Sequence, residues 1–438
     1  MLRGVGVDQT FKKSFAGPTV SMSTMADSVF LHAADLHLGA PLKSLGSHIE
    51  PVKADYIRAE TKRVFDDLVN LAIERSVEFV VLAGDVYDTA ENDPVAQLRV
   101  NAGFRRLQEA NIPVFIVHGN HDPLGSSQRS NIRELPANVK VFPHDSVSTH
   151  LVQLSNGVTV TVAGISYLKA EERRPLASMF DGLSGSPLIG VLHTNVGGSR
   201  EHGDYAPCTA AELVASQVNY WALGHIHLRS VNGSANNWWV YPGNLQGRST
   251  KSSECGPKGV MIVPIDESGV VHEPEFVACD RARFERIVAA CDEFTTMEEA
   301  VDGAASRVAE KVEENGSRPS VVVVELTGAT AVHGSLTADE FLASLTEACE
   351  SFIGQGQIVK VIDHTRKLVN PDEVRRSNSI AAEALQALDE RRADAGVHMI
   401  AMKDLPRDVK KFVESGSERE EILDRAEQVL IDRLWAAQ

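Results

Sequence analysis

Five short motifs combine aspartate, histidine and asparagine side chains in a way that suits metal chemistry. They are Asp35-Leu-His37, Gly84-Asp85-Val-Tyr-Asp88, Gly119-Asn120-His121-Asp122, His193-Thr-Asn195 and Gly224-His225-Ile-His227. Carboxylate, imidazole and amide oxygen form a mixed set of hard and borderline ligands, which fits Mn²⁺, Fe²⁺ or Zn²⁺ better than Ca²⁺ or a thiolate-bound metal. Two cations about 3.5–4 Å apart need a bridging carboxylate, and Asp85 in the central motif is the natural candidate.

Spacing within the motifs supports convergence on one site. Alternate residues of an extended chain point the same way, so each D-x-H or H-x-H pair can approach one centre. Glycines at 84, 119 and 224 permit tight turns and close backbone approach. His118 faces the opposite way from its neighbour and is expected to be structural. Asp88 is expected to hydrogen-bond a loop or a ligand, with direct metal ligation as the alternative.

Apolar runs that are rich in Val and Ile precede these motifs and have the length of buried strands. They cover residues 29–34, 79–83, 114–117, 158–165, 188–192, 220–223, 238–241 and 259–265. Segments with helical spacing at 57–76 and 95–110 separate the early runs. This alternation predicts an α/β fold with parallel pairing, and the later strands predict a second sheet packed on the first. Ligands of such folds bind beyond the carboxyl ends of strands, where all five motifs fall.

The length of 438 residues predicts two or three domains. A polar segment at 266–275 predicts a boundary between a catalytic domain at 27–270 and a smaller α+β capping domain at 271–370. A disordered leader is expected at 1–26 and a charged helical tail at 371–438. An apolar stripe on the last helix could dock a partner or pack on its own domain; it consists of Ile422, Ala426, Val429 and Leu434.

Charge and cysteine content narrow the class of protein. The net charge is −17, and residues 271–438 contribute 20 basic against 33 acidic residues, while residues 1–270 are close to balanced. This balance argues against a general nucleic-acid binder but leaves a local basic groove open. Five cysteines without a CxxC pair predict free thiols and a cytoplasmic location. No apolar run approaches the ~20 residues that a membrane span needs.

Taken in order, the five motifs resemble the calcineurin-like metallophosphoesterase family over about residues 28–265. The segment LHAADLHLGAP at 31–41 is similar to the DNA repair exonuclease branch of that family, the SbcD and YhaO type. So are YPGNLQGR at 241–248 and ECGPKG at 254–259. The resemblance implies a two-sheet sandwich flanked by helices, and the α+β unit fits the capping domain of that branch.

The resemblance also implies a ligand set. One metal would be held by Asp35, His37, Asp85 and His227, and the other by Asp85, Asn120, His193 and His225. His121 would stand beside the metals as general acid or transition-state stabiliser, oriented by Asp122. A metal-bound hydroxide would attack phosphorus in line while His121 protonates the leaving oxygen. Arg248 is a candidate phosphate contact, with a surface arginine as the alternative, and Arg129 and Arg133 are weaker candidates.

The branch implies Mn²⁺-dependent exonuclease or endonuclease cutting of DNA in repair, and an SMC-like ATPase partner. It also suggests a homodimer through the helices near 42–75 and 95–110. Two alternatives stay open. The first is a phosphodiesterase for small nucleotides or other small phosphoesters, because the C-terminal half is acidic and shows no basic run for DNA. The second is a non-catalytic scaffold that holds the ATPase.

Overall fold

The computed structural model describes residues 28–40, 42, 49–88, 93–126, 134–198, 205–234, 236–334, 338–393 and 419–435. The strands are β1 Ser28–Ala33, β2 Val80–Ala83, β3 Val114–Val117, β4 Val139–Val141, β5 Ser148–Gln153, β6 Thr159–Gly164, β7 Leu188–His193, β8 Tyr220–Gly224, β9 Ser230–Ser234, β10 Asn237–Tyr241, β11 Gly259–Ile265, β12 Glu275–Ala278, β13 Arg283–Ala290, β14 Ser320–Thr330 and β15 Gln357–Lys367. The helices are α1 Pro51–Thr61, α2 Val64–Glu74, α3 Pro94–Glu109, α4 Ala210–Ala215, α5 Met297–Asn315, α6 Ala338–Ile353, α7 Pro371–Arg376, α8 Ile380–Ala393 and α9 Arg419–Leu434.

Two six-stranded mixed sheets form a sandwich, as predicted. Their strand orders are β12-β11-β1-β2-β3-β4 and β5-β6-β7-β8-β10-β9. Phe30 and Leu31 illustrate why the strand sequences are apolar on both faces. Phe30 packs between the sheets with Phe79 and Ile189, whereas Leu31 packs on the outer side with residues of α2 and α3. The flanking helices therefore complete the core.

Edge strands and one helix break depart from the sequence prediction. The strands β4, β5 and β9 are half-exposed and lack a continuous apolar run, so hydrophobic patterning did not reveal them. The predicted helix at 57–76 is two helices, α1 and α2. The helix α2 packs on the first sheet, while Ala54 and Ile57 of α1 pack with Phe284 and Val321 of the third sheet. The two apolar stripes face different targets, which requires a change of direction between them.

The third sheet is parallel, in the order β13-β14-β15. Helices α5 and α6 cover one face with Ala304, Val308 and Phe341, among others. The mixture of strands and helices that was predicted for this region is present. The expected boundary at residue 270 needs correction, because β12 pairs antiparallel with β11 in the first sheet. The change of sheet lies between β12 and β13, after Ala278.

The helical tail has its own small core. Leu430, Ile431 and Leu434 of α9 pack with Val374 and Leu385 of α7 and α8. Of the predicted stripe, Leu434 joins this core, while the most buried residue of the helix, Ile431, lies outside the stripe. The side chain of residue 422 and the expected leader at 1–26 lie outside the described residues. None of the helices in the described part of the chain has the length and apolar character that a bilayer crossing needs.

Candidate metal centre

The five motifs meet where parallel strands end. Asp35 and His37 follow β1, Asp85 follows β2, Asn120 and His121 follow β3, His193 ends β7, and His225 and His227 follow β8. The first sheet supplies β1, β2 and β3 as neighbours, and the second supplies β7 and β8. Because both sheets turn these carboxyl ends to one side, residues far apart in the chain come together.

Asp85 lies at the centre of the cluster. Its Oδ2 atom is 3.5 Å from Nε2 of His193 and 3.8 Å from Nε2 of His37. Its Oδ1 atom accepts the backbone N–H of His121 at 2.8 Å. The carboxylate of Asp85 belongs to two candidate ligand groups, one with His37 and His121 and one with Asp35 and His193. A carboxylate shared by two groups is the arrangement that a binuclear site requires.

Two sets of donors flank Asp85. On one side the Nε2 atoms of His37 and His227 face each other at 3.2 Å, a separation that a cation between two imidazoles would explain. On the other side Oδ1 of Asn120 lies 3.0 Å from Nε2 of His193. The same oxygen lies 3.2 Å from Nδ1 of His225. Nitrogen and oxygen donors of this kind fit divalent transition metals.

The backbone around the cluster is strained. Asp35, His37, Asp85 and His225 all have positive φ, between 44° and 101°. Non-glycine residues rarely adopt this region, and such residues cluster at functional sites. The pair Asp35 and His37 is therefore not in the extended conformation that was predicted, and sharp strand-to-loop turns bring its side chains to the cluster.

The three motif glycines at 84, 119 and 224 have no room for a side chain. A Cβ at Gly119 would lie 2.4 Å from Oδ1 of Asp85, and a Cβ at Gly224 would lie 1.9 Å from the carbonyl oxygen of Ala83. That carbonyl also lies 2.9 Å from Nδ1 of His193 and orients its ring. The glycines therefore allow close approach, as the sequence predicted.

Buried charges shift the acidity of the cluster. Burial opposes the charge of Asp85, but His193 and His37 hold its pKa well below the ordinary value. Burial likewise opposes the charge of His193, but Asp85 raises the pKa of that imidazole to about 9. Burial raises the pKa of Asp35. Protons thus compensate the carboxylates in the metal-free protein, which is the role that bound cations would take over.

The partners of His121 and Asp122 differ from the prediction. Asp122 accepts backbone N–H groups of Val86 and Gly119 at 2.9 and 2.8 Å and lies 3.0 Å from Nδ1 of His118. Asp122 therefore shapes the motif loops and holds His118, instead of orienting His121. The carboxylate beside His121 is that of Asp88, whose Oδ2 atom is 3.6 Å from Nδ1. Asp88 raises the pKa of His121.

Glu254 is a buried residue of the site that the motif analysis did not assign. Its Oε1 atom lies 2.6 Å from Nδ1 of His227, and Oε2 accepts the backbone N–H of Arg248 at 2.9 Å. Burial opposes its charge, but His227 lowers the pKa of Glu254 to about 2. In the sequence, Glu254 is the first residue of the ECGPKG segment, which supported the family resemblance but to which no function was assigned. Arg248 is half-buried, 4.0 Å from Glu254, while Arg129 and Arg133 lie outside the described residues.

Comparison with known proteins agrees with this geometry. Residues 28–229 match the family model described as calcineurin-like phosphoesterase, and residues 284–366 match the middle domain of metallophosphoesterase YhaO. The uncharacterized metallophosphoesterase YhaO of Bacillus subtilis is 35% identical over 57% of this chain and 60% of its own length. The DNA double-strand break repair protein Mre11 of Haloferax volcanii is 25% identical over 92% of this chain and 82% of its own. Mre11 of Archaeoglobus fulgidus is 27% identical over half of each chain.

Proposed function

Residues 28–229 belong to the calcineurin-like phosphoesterases, and on that premise we propose that the protein is a metal-dependent phosphodiesterase that cuts DNA. The observation that carries the chemistry is the position of Asp85 between two sets of donors. His37 and His227, with Asp35, would hold one cation, and Asn120, His193 and His225 would hold the other. Two divalent cations, with Mn²⁺ as the first choice, would supply charge neutralisation and an activated water when bound.

Residues of the chain itself would bind and protonate the substrate. His121 is partly exposed at 40% of its side-chain surface and can reach a phosphate that the buried ligands cannot. A protonated imidazole held by Asp88 can donate its proton to a leaving oxygen. Arg248 lines the cleft beside His37, where a guanidinium can pair with phosphate oxygens. We retain Asp122 as a support of the motif loops.

The case for DNA rests on one face of the third sheet. The strand register places Lys360, His364 and Arg366 of β15 and Arg286 of β13 on the same face. Lys360 and His364 are exposed, and Arg286 is ion-paired with Glu325. The core residues of α5 and α6 pack on the opposite face, and these helices carry acidic first turns. The basic side chains of β15 thus lie on the face opposite these acidic first turns.

The basic face leads toward the metal centre. Nη1 of Arg286 donates to the carbonyl oxygen of Thr250 at 3.0 Å, two residues from Arg248. A row of cations beside a phosphoesterase site can position a polymeric phosphate backbone. The names of the Mre11 relatives, which are repair proteins of DNA double-strand breaks, support the same substrate.

Other parts of the proposal come from the resemblance. They are an SMC-like ATPase partner, a homodimer, a cytoplasmic location and a role in DNA repair. Val95 and Leu98 of α3 are exposed at 61% and 45%, which supports an interface there. We also propose a catalytic domain that ends near residue 278, followed by a capping domain to about 370 and a helical tail.

The test is a nuclease assay on the metal-stripped full chain. We expect Mn²⁺ to restore cleavage of single- or double-stranded DNA, and EDTA to abolish it. The H121N variant should lose at least about 100-fold in rate, because general acid catalysis contributes that much. Turnover of bis(p-nitrophenyl) phosphate without any DNA cleavage would reject the DNA assignment. Equal activity of wild type and H121N would reveal a contaminating nuclease.

A second candidate is a phosphodiesterase for small nucleotides. A cleft adjoins His37 and Arg248, and its walls include Leu38, Phe65 and Val100. Apolar walls of this kind suit the base of a nucleoside better than a duplex. This function would be favoured by saturable turnover of cyclic nucleotides or dinucleotides together with a lack of DNA binding at low salt.

A further inference from the structure

Glu254 contacts two parts of the proposed site at once. They are the proposed metal ligand His227 and the backbone of the proposed substrate contact Arg248. Its side chain is 8% exposed. One carboxylate oxygen lies 2.6 Å from Nδ1 of His227. The other accepts the backbone N–H of Arg248 at 2.9 Å and Nδ2 of Asn244 at 2.8 Å. One oxygen therefore contacts the metal centre, and the other contacts the loop that carries Arg248.

The contact with His227 has a chemical consequence. A carboxylate can only accept hydrogen bonds, so the proton of a neutral His227 must sit on Nδ1. The lone pair is then on Nε2, which is the atom that faces Nε2 of His37 at 3.2 Å. Glu254 thus selects the tautomer of His227 that can bind a cation, as carboxylates behind histidine ligands commonly do.

The loop from 244 to 256 joins this carboxylate to the third sheet. The carbonyl oxygen of Phe284 accepts the N–H of Gly256 at 2.9 Å. Oε1 of Gln246 accepts the backbone N–H of Arg281 at 2.9 Å, and its Nε2 donates to the carbonyl of Ala282 at 2.6 Å. The approach to β13 and the first residues of that strand therefore hold the loop from one side while Glu254 holds it to His227 from the other.

We propose that Glu254 is a positioning residue that sets the tautomer of His227 and the place of Arg248, and so couples the third sheet to the metal centre. The inference rests on the proposed function, which supplies the bound metal, but the tautomer of His227 is a property of the metal-free chain. The two can therefore fail separately.

The variant E254Q separates these roles. Two donors, from Arg248 and Asn244, face one oxygen, so the amide oxygen of Gln is best placed there. Its NH₂ group then faces His227 and favours the tautomer with the proton on Nε2. That tautomer opposes metal binding. We expect Mn²⁺ affinity to fall 10- to 100-fold, the usual effect of losing such a partner.

Two measurements test the proposal on the full chain. Calorimetric titration of the metal-stripped protein with MnCl₂ should show the loss of affinity in E254Q but not in E267Q, because Glu267 is exposed in the segment between β11 and β12. NMR of ¹⁵N-histidine-labelled, metal-free protein should show His227 protonated on Nδ1 in wild type and on Nε2 in E254Q. Unchanged Mn²⁺ affinity together with an unchanged tautomer would overturn the inference.

A second variant distinguishes the loss of the contact with His227 from a folding defect. E254D keeps the charge but draws the carboxylate back by about one methylene, so we expect an affinity between those of wild type and E254Q. Wild-type affinity in E254D would contradict the proposal, because the 2.6 Å contact cannot survive the shortening. Wild type that binds no Mn²⁺ but shows the Nδ1 tautomer would refute the proposed function while supporting the positioning role of Glu254.

Discussion

The Nδ1 atom of His121 lies 3.6 Å from Oδ2 of Asp88, although Asp122 is its neighbour in the chain. The hydrogen bond with Asp88 is the main reason that the pKa of His121 is raised, so it favours the protonated form of the proposed acid. We expect D88N to lower kcat on bis(p-nitrophenyl) phosphate about 10- to 100-fold, or about 1.4–2.7 kcal/mol in the barrier, with little change in KM.

The matched change is D122N. Asp122 is buried and accepts several backbone N–H groups, so its loss should cost about 1–3 kcal/mol of unfolding free energy. Urea unfolding and steady-state kinetics on both variants separate the roles. A stable D122N with low kcat, beside a fully active D88N, would restore the pairing that the sequence suggested.

Gly119 tests the packing of the metal centre. A Cβ there would lie 2.4 Å from Oδ1 of Asp85 and 2.7 Å from Nε2 of His193. Both atoms belong to the proposed ligands, which are rigidly held, so we expect G119A to lose measurable Mn²⁺ binding while its circular dichroism spectrum stays that of the wild type. Calorimetric titration measures the binding.

The control for G119A is G157A. A Cβ at Gly157 would meet nothing within 4 Å, though its φ is +91°. We expect a loss of about 1–2 kcal/mol in stability from the left-handed backbone and unchanged Mn²⁺ affinity. Equal metal affinity in G119A and G157A would mean that the packing around Asp85 is looser than the distances indicate.

The basic face of the third sheet predicts a salt-dependent interaction with DNA. The double variant K360E/R366E reverses two of its charges, and we expect DNA affinity at low salt to fall at least about 10-fold. The dependence of log K on log salt should weaken by about 0.9 per lost phosphate contact. Fluorescence anisotropy with labelled duplex DNA, without divalent cations, measures both quantities.

The double variant R307E/K311E is the matched control, because Arg307 and Lys311 lie on α5 beside Glu310 and Glu314. The same charge reversal there should leave DNA affinity and its salt dependence unchanged. An equal loss in R307E/K311E and K360E/R366E would show that net charge, and no particular face, governs the binding.

His32 predicts a loss of stability in acid. Burial lowers its pKa to about 3, and its Nδ1 atom lies 3.0 Å from the hydroxyl of Tyr220. In the unfolded chain the pKa of His32 is about 6.5, so between pH 6.5 and 3 the unfolded chain binds a proton that the folded protein does not bind. The stabilisation is therefore complete above pH 6.5 and is lost as pH falls, by up to about 1.4 kcal/mol per unit from this residue.

The variant H32Q should flatten this pH dependence. Urea unfolding of the EDTA-treated chain between pH 7 and 4 gives the slope for wild type, H32Q and H364Q. His364 is exposed, so H364Q should follow wild type. Identical slopes in all three proteins would assign the acid sensitivity to other groups.

The sequence by itself determined which residues are the candidate metal ligands, their order and the strands that carry them. Val and Ile runs that end in Asp, His or Asn report strand ends directly, because parallel sheets collect such ends at one edge. The two-sheet α/β sandwich followed from the same pattern. Half-exposed edge strands such as β5 escaped, since its sequence STHLVQ neither forms an apolar run nor alternates polar and apolar residues.

Only the tertiary structure decided which side chains meet. Asp122 adjoins His121 in the chain, but it faces the backbone of the neighbouring loop and His118, while Asp88 comes from another strand. Glu254 reaches His227 across 27 residues, and no spacing rule connects them. The cations of the third sheet form a face because alternate residues of paired strands align. Contacts of this kind depend on how strands and loops pack in space, which local residue patterns do not encode.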